Sequence, residues 1–258
     1  MTDSRPTVLY EHPLSERMRS LLRLEFLWQK LSEHSAIGGI WGMRGAVDAL
    51  LEILAVTARG DTRGDVLKDL ERQLGLLREY QDKPGVDPGR LRAVMTRLMR
   101  CREELNAAGG HYLQPLRHSE FLAGINHRSA IPGGTCAFDL PDFHHWLARP
   151  REALDAEFDQ WVARVRPLCE AIGQLLWVTR ENARPNRLVA AAGVHQVTFD
   201  REQPAQLLRL QLPAESDLFP QISGNHYRCS IRFLRWAGLD TRPVPPGEDV
   251  EFLLTSCT

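Results

Sequence analysis

Apolar residues recur along this chain with two different periods, and the change of period divides it. From Leu14 onward, Leu14, Met18, Leu21, Leu22, Phe26 and Leu31 fall three or four apart, the spacing of one helical face, while Arg17, Arg19 and Arg23 point away from it. Gly38, Gly39 and Gly42 interrupt this first helix, and Val47, Leu50, Leu51, Leu54 and Val56 predict a second that ends near Gly60. Asp61 or Thr62 can cap a third, carrying Val66, Leu67, Leu70, Leu74, Leu77 and Tyr80 to about Lys83. Asp87 before Pro88 starts a fourth, since the carboxylate can accept from free N–H groups and proline suits the first helical position. A shorter helix over Leu116 to Ile125, a segment over Phe143 to Leu147, and a long helix from Leu154 to Thr179 complete the series. Pro167 lies inside the long helix and predicts a kink there.

Beyond Pro185 the period falls to two. Leu188 to Ala191, Val194 to Phe199, Leu207 to Leu212, Tyr227 to Leu234 and Val250 to Leu254 predict strands, most of them separated by Gly, Pro, Asn or Asp clusters that suit hairpins. Thr7 to Tyr10 is a further β-prone segment with no neighbour close in sequence. Between the helices, Pro132, Gly133 and Gly134 predict a sharp turn into a strand at Cys136 and Phe138, which Pro141 ends. The fold class expected is α+β: an N-terminal, mostly helical bundle domain with a smaller antiparallel β-sheet domain that includes the N-terminal and central strands. The helical domain is expected over 14–130 with the 141–182 helices packed on it, and the sheet domain over 1–13, 131–140 and 185–258.

With 258 residues, 43% of them hydrophobic, the chain can bury a substantial core. A net charge of −1 argues against binding nucleic acid through bulk charge. No apolar run approaches the roughly 18 residues of a membrane span, and the polar start lacks a signal-peptide core, so a cytoplasmic protein without a membrane partner is expected. The five cysteines are scattered and never in C-x-x-C spacing, which predicts free thiols in place of disulfides or zinc.

No enzymatic signature emerges. His144 and His145 are adjacent, so on a helix they point about 100° apart and cannot readily share an ion. Cys136 in an alternating segment reads as a core thiol. Pro132 to Thr135 lack the lysine of a phosphate loop. Neither a cofactor nor a catalytic or metal site is expected. Arginine remains. Arg228 and Arg232, four apart in a strand, project from one face, with Arg235 just beyond. Guanidinium groups there would suit carboxylates, although a solvated outer face would look the same in sequence.

Three blocks carry a resemblance. They are Tyr10 to Leu14 running into Met18 to Leu27; Ile131 to Pro141 with His144 and Trp146; and Leu218 to Gly224 followed by Arg228, Ile231, Arg232 and Phe233. Together, in this order and spacing, they resemble the bacterial ZapD cell-division family across nearly the whole chain. The resemblance implies a non-enzymatic cytoplasmic homodimer at the mid-cell division site, with a helical and a β domain. Its implied partner is the C-terminal tail of the tubulin-like GTPase FtsZ, whose filaments it would cross-link. The expected tail contacts are Arg228 and Arg232, with Arg117, Arg128 and Arg19 as further contributors. The rival expectation is a sheet-based nucleic-acid-binding module using the same arginines, which would need interleaved stacking aromatics such as Tyr227 and Phe233.

Overall fold

The structure, a computed structural model of the chain, describes residues 6–81, 83–181, 183–202 and 204–258. It is α+β. In order, the elements are β1 (Thr7–Pro13), α1 (Glu16–Ile37), α2 (Gly39–Thr57), α3 (Thr62–Glu79), α4 (Pro88–Ala107), α5 (Gln114–Arg117), α6 (Glu120–Ser129), α7 (Pro141–Leu147), α8 (Arg151–Glu181), and the strands β2 (Asn186–Ala190), β3 (Val194–Thr198), β4 (Leu207–Pro213), β5 (Leu218–Gly224), β6 (Arg228–Arg235) and β7 (Val250–Cys257). The chain divides into two compact units, Met1–Leu22 with Trp177–Thr258, and Arg23–Leu176, so the boundary falls within α1 and within α8.

The helical unit forms where its caps and stripes predict. Asp61 accepts from Gly64 N at 2.9 Å, and Asp87 accepts from Gly89 N at 2.8 Å and Arg90 N at 3.2 Å, each satisfying donors that a helix start leaves open. Such a cap is worth about 1 kcal/mol. Helix α2 buries residues on most of its circumference, among them Met43, Ala46, Val47, Leu50, Ile53 and Leu54, and so forms the centre of its unit. Helix α8 runs through Pro167 without a break in the assigned helix. On the first helix the buried stripe is Met18, Leu21, Leu24, Leu27 and Leu31, whereas Phe26 is 65% exposed. The expected stripe had counted Phe26 inward, but it falls one position off the buried row.

The expected central strand does not form. Residues 131–139 are a succession of turns, with Gly134 N donating to Ile131 O at 2.9 Å, Cys136 N to Gly133 O at 3.1 Å and Leu140 N to Cys136 O at 3.0 Å. Local turns thus satisfy backbone groups that a strand would have had to pair elsewhere. Two alternating apolar residues were too few to define a period, and Phe138 is 86% exposed. The segment belongs to the helical unit.

In the other unit a four-stranded sheet, ordered β1-β4-β7-β2, faces a three-stranded sheet, ordered β3-β6-β5. The N-terminal strand finds its neighbour in β4, paired antiparallel from Thr7↔Pro213 to Pro13↔Leu207. Between the sheets lie Leu208, Leu210, Leu212, Val250, Phe252 and Leu254 from one side and Cys229, Ile231 and Phe233 from the other. The period of two is that of strands with one face in this core. Strand β5 was not anticipated, because Pro220 and Gly224 interrupt its pattern; proline is tolerated there since β5 is an edge.

The outer face of the four-stranded sheet carries a charged triad. Glu11 on β1 accepts from Arg209 Nε of β4 at 2.9 Å and from Arg180 Nε of α8 at 2.8 Å, and all three side chains are only about one-fifth exposed. Removing the carboxylate would take from two largely desolvated cations the acceptor they share. Glu11→Ala is expected to lower the unfolding free energy by about 2 kcal/mol. Arg187→Ala, which removes the exposed Arg187–Glu251 pair, should cost less than about 0.5 kcal/mol, and urea denaturation of both variants measures the contrast.

Candidate functional site

Strand β6 displays its residues alternately. Cys229, Ile231 and Phe233 are buried in the sandwich, so Arg228, Ser230, Arg232 and Leu234 lie on the opposite, outward face. Register adds the neighbours: Arg228 lies opposite Thr198 of β3, and Arg232 lies between Val194 of β3 and Gln221 of β5. Ser230 is flanked by Gln196 and Ser223 in the same way. None of β3, β5 and β6 contains an aspartate or glutamate. Both arginines are exposed, and among the described residues neither forms an ion pair. Two cations therefore stand among uncharged neighbours on this face.

The spacing refines what they can grip. Residues four apart in a strand are separated by about 13 Å along its axis. With their backbones that far apart, the two arginines offer two anion positions along a line. The turn before β6 sets where the row begins. Asn225 Oδ1 accepts from Tyr227 N at 2.9 Å and from Arg228 N at 3.3 Å, closing the β5–β6 hairpin. Gly224, with φ 150°, is required beside it: a Cβ there would lie 2.3 Å from Arg228 O.

The other expected contributors already hold partners. Arg19 Nε is 3.1 Å from Glu16 Oε1 on the first turn of α1. It also stands near His12, whose pKa is lowered first by burial and then by this positive charge. Arg117 Nη2 donates to Thr57 O at 2.8 Å and to Thr57 Oγ1 at 3.2 Å, a cation placed on the unsatisfied carbonyl end of α2. Arg128 Nη1 is 3.4 Å from Asp139 Oδ1 in the central turns. Arg235, at the end of β6, is held between Asp217, at 2.9 Å, and Glu248. The structure brings Arg228 and Arg232 onto one face and gives Arg117 and Arg128 separate anchoring points. Sequence reading missed the polar residues around the pair, Gln196, Ser223 and Ser230, because only register reveals them.

The candidates for chemistry take ordinary places. Cys136 Sγ lies 3.5 Å from Asp139 Oδ2 on a turn. His144 and His145 are exposed on α7, and among the described residues no group of three or more His, Cys, Asp or Glu is arranged to hold a metal. No helix among them is long and apolar enough to cross a membrane. Of the two aromatics a base-stacking sheet would use, Phe233 is fully buried, and Tyr227, half exposed in the hairpin turn, lies tilted against His226.

Comparison with known proteins decides the family. Residues 22–232 match the family model described as ZapD, cell division protein. The chain belongs to the ZapD family. Its role is accordingly in cell division. ZapD relatives match along nearly all their length: the cell division protein ZapD of Methylococcus capsulatus is 36% identical over 97% of this chain and 98% of its own. That of Azoarcus sp. strain BH72 is 34% identical over 97% and 99%, and that of Escherichia coli O9:H4 strain HS is 37% identical over 97% and 98%.

Two kinds of arginine are thus present in this ZapD-family chain, and truncation should separate them. Arg117→Ala is expected to cost roughly 1–2 kcal/mol of stability through the orphaned end of α2, whereas Arg232→Ala should change it by less than about 0.5 kcal/mol. Chemical denaturation of the two variants side by side gives the comparison. Stability should also fall as pH drops below about 6.5: half-buried His12 resists protonation when folded, while the unfolded chain takes up the proton freely, and His12→Gln should flatten that slope.

Proposed function

We propose that this chain binds the C-terminal tail of FtsZ and, as a cytoplasmic homodimer, cross-links FtsZ filaments at the mid-cell division site without catalysing a reaction. The observation that carries this reading is the exposed pair Arg228 and Arg232 on strands that contain no carboxylate. Such a face favours an acidic partner, since the cost of desolvating the guanidinium groups is not already offset by an internal acid. Arg19, Arg117 and Arg128 are engaged within the chain, so in this reading they contribute less, and the tail's acidic groups fall to the pair on β6.

Pairing of the molecule supplies the rest. A single exposed charge contact is worth little, about 1 kcal/mol or below. Two tail-binding faces on one dimer make the second contact intramolecular, and effective concentration then converts weak grips into lateral bundling. The nucleic-acid reading is less favoured, because Phe233, one of the two aromatics it would stack bases on, is buried, and the chain carries a net charge of −1 in place of a basic excess.

Pelleting with polymerised FtsZ tests the proposal. Wild type should sediment with full-length filaments, bundle them, and fail to do so when the FtsZ tail is deleted. The double variant Arg228→Glu, Arg232→Glu should lose bundling while its thermal unfolding stays within a few degrees of wild type. Undiminished bundling by that variant would remove the site assignment, and bundling of tail-less filaments would remove the partner segment. Bundling should also weaken as salt rises from 0.1 to 1 M, where the screening length shrinks from about 10 Å to about 3 Å.

A further inference from the structure

Strand β3 is an edge, bonded to β6 on one side only. Its ladder alternates. Phe199 N donates to Tyr227 O at 3.0 Å and Phe233 N donates to Gly193 O at 2.8 Å, so the odd-numbered residues of this strand carry the bonds to β6. The N–H and C=O groups of Gln196 and Thr198 therefore point away from β6, along the free edge. Natural edges are commonly guarded by a charge, a proline or a bulge. On the other edge of this sheet Pro220 removes a donor. Strand β3, Val194-His195-Gln196-Val197-Thr198, has no such guard. At its start the β2–β3 hairpin turns tightly, with Val194 N bonded to Ala191 O at 2.9 Å, after which β2 passes into the other sheet.

The side chains at this edge share the face of the two arginines. Val194, Gln196 and Thr198 are outward and exposed, directly opposite Arg232, Ser230 and Arg228. An extended segment laid along β3 would run parallel to the line of cations one strand further in. Its acidic side chains four residues apart would repeat at the same distance of about 13 Å as the arginines.

We infer that the partner is bound by strand addition: an extended acidic peptide pairs its backbone with Gln196 and Thr198 at the β3 edge and directs carboxylates about four residues apart toward Arg228 and Arg232. This deepens the reading of the face as the receptor for the FtsZ tail and depends on it. Backbone pairing supplies affinity that does not depend on sequence, and the spacing of the cations selects an acidic strand over a neutral one. It also gives each of the two arginines its own carboxylate, four residues apart on the bound strand. The face is then read along the chain, so a tail that stays extended fits and one folded into a helix does not: four helical residues span only about 6 Å.

A synthetic peptide of the FtsZ C-terminal tail is the probe, titrated against the full chain. Amide exchange followed residue by residue by NMR should show the Gln196 and Thr198 N–H groups becoming protected at least tenfold on saturation. Gln196→Pro removes the outward donor without touching the β6 ladder and should weaken peptide binding at least tenfold, with Gln196→Ala staying within twofold of wild type. Binding that Arg232→Glu abolishes, without protection at either amide, would overturn strand addition and leave the cationic receptor standing. Undiminished binding by both Arg228→Glu and Arg232→Glu, or no binding by wild type, would overturn the receptor and this inference together. Should Gln196→Pro fail to fold, the exchange measurement on wild type decides alone.

Discussion

The pairing of β1 with β4 is the contact on which the sheet unit depends. Glu11 and Arg209 face each other across that ladder, 198 residues apart in sequence, and closing so large a loop carries an entropic cost that local contacts do not. It is offset by seven paired positions, by the inward row of Tyr10 against Leu208, Leu210 and Leu212, and by the carboxylate that draws in Arg180 as well. Without it β4 would have an open side, and the four-stranded sheet would lose an edge strand. Everything from α1 to α8 is an insertion between β1 and β2.

Much of this was legible in the residues. The helices announce themselves because capping carboxylates at Asp61 and Asp87 sit at the head of apolar rows with the right period, so local chemistry and burial agree. Strands β2, β3, β4, β6 and β7 are equally plain, since each keeps one face in the sandwich. The failures have physical causes. Cys136 and Phe138 alternate like a strand, yet the backbone around them is satisfied by reverse turns, and Arg44 Nη1 donates to Thr135 O at 2.9 Å to hold those turns against α2. Strand β5 was hidden because a proline on an edge violates only the half of the ladder that nothing uses.

The arginines show a different limit. That Arg228 and Arg232 share a face follows from strand geometry alone. What distinguishes them from Arg209, Arg235 or Arg117 does not, because a guanidinium's partner lies far away in the chain: Glu11 for Arg209, Glu248 for Arg235, the carbonyl of Thr57 for Arg117. Only register shows that β3, β5 and β6 meet to form a face with cations and no acids. In a chain whose formal net charge is −1, that local imbalance is invisible to composition; it comes into view only once the register of β3, β5 and β6 is known.

The inserted helical body has a consequence for how the molecule is made. During translation β1 leaves the ribosome ahead of every other described element, yet its partner β4 follows only after all eight of the described helices have been synthesised. Until then β1 is a nascent segment with an unpaired backbone, while α3 and α4 can already pack on one another. Assembly of the sandwich is thus deferred until β4 and the strands after it have been made, and a ribosome that stalls after α8 would release a chain whose helices can fold but whose β1 has nothing to join.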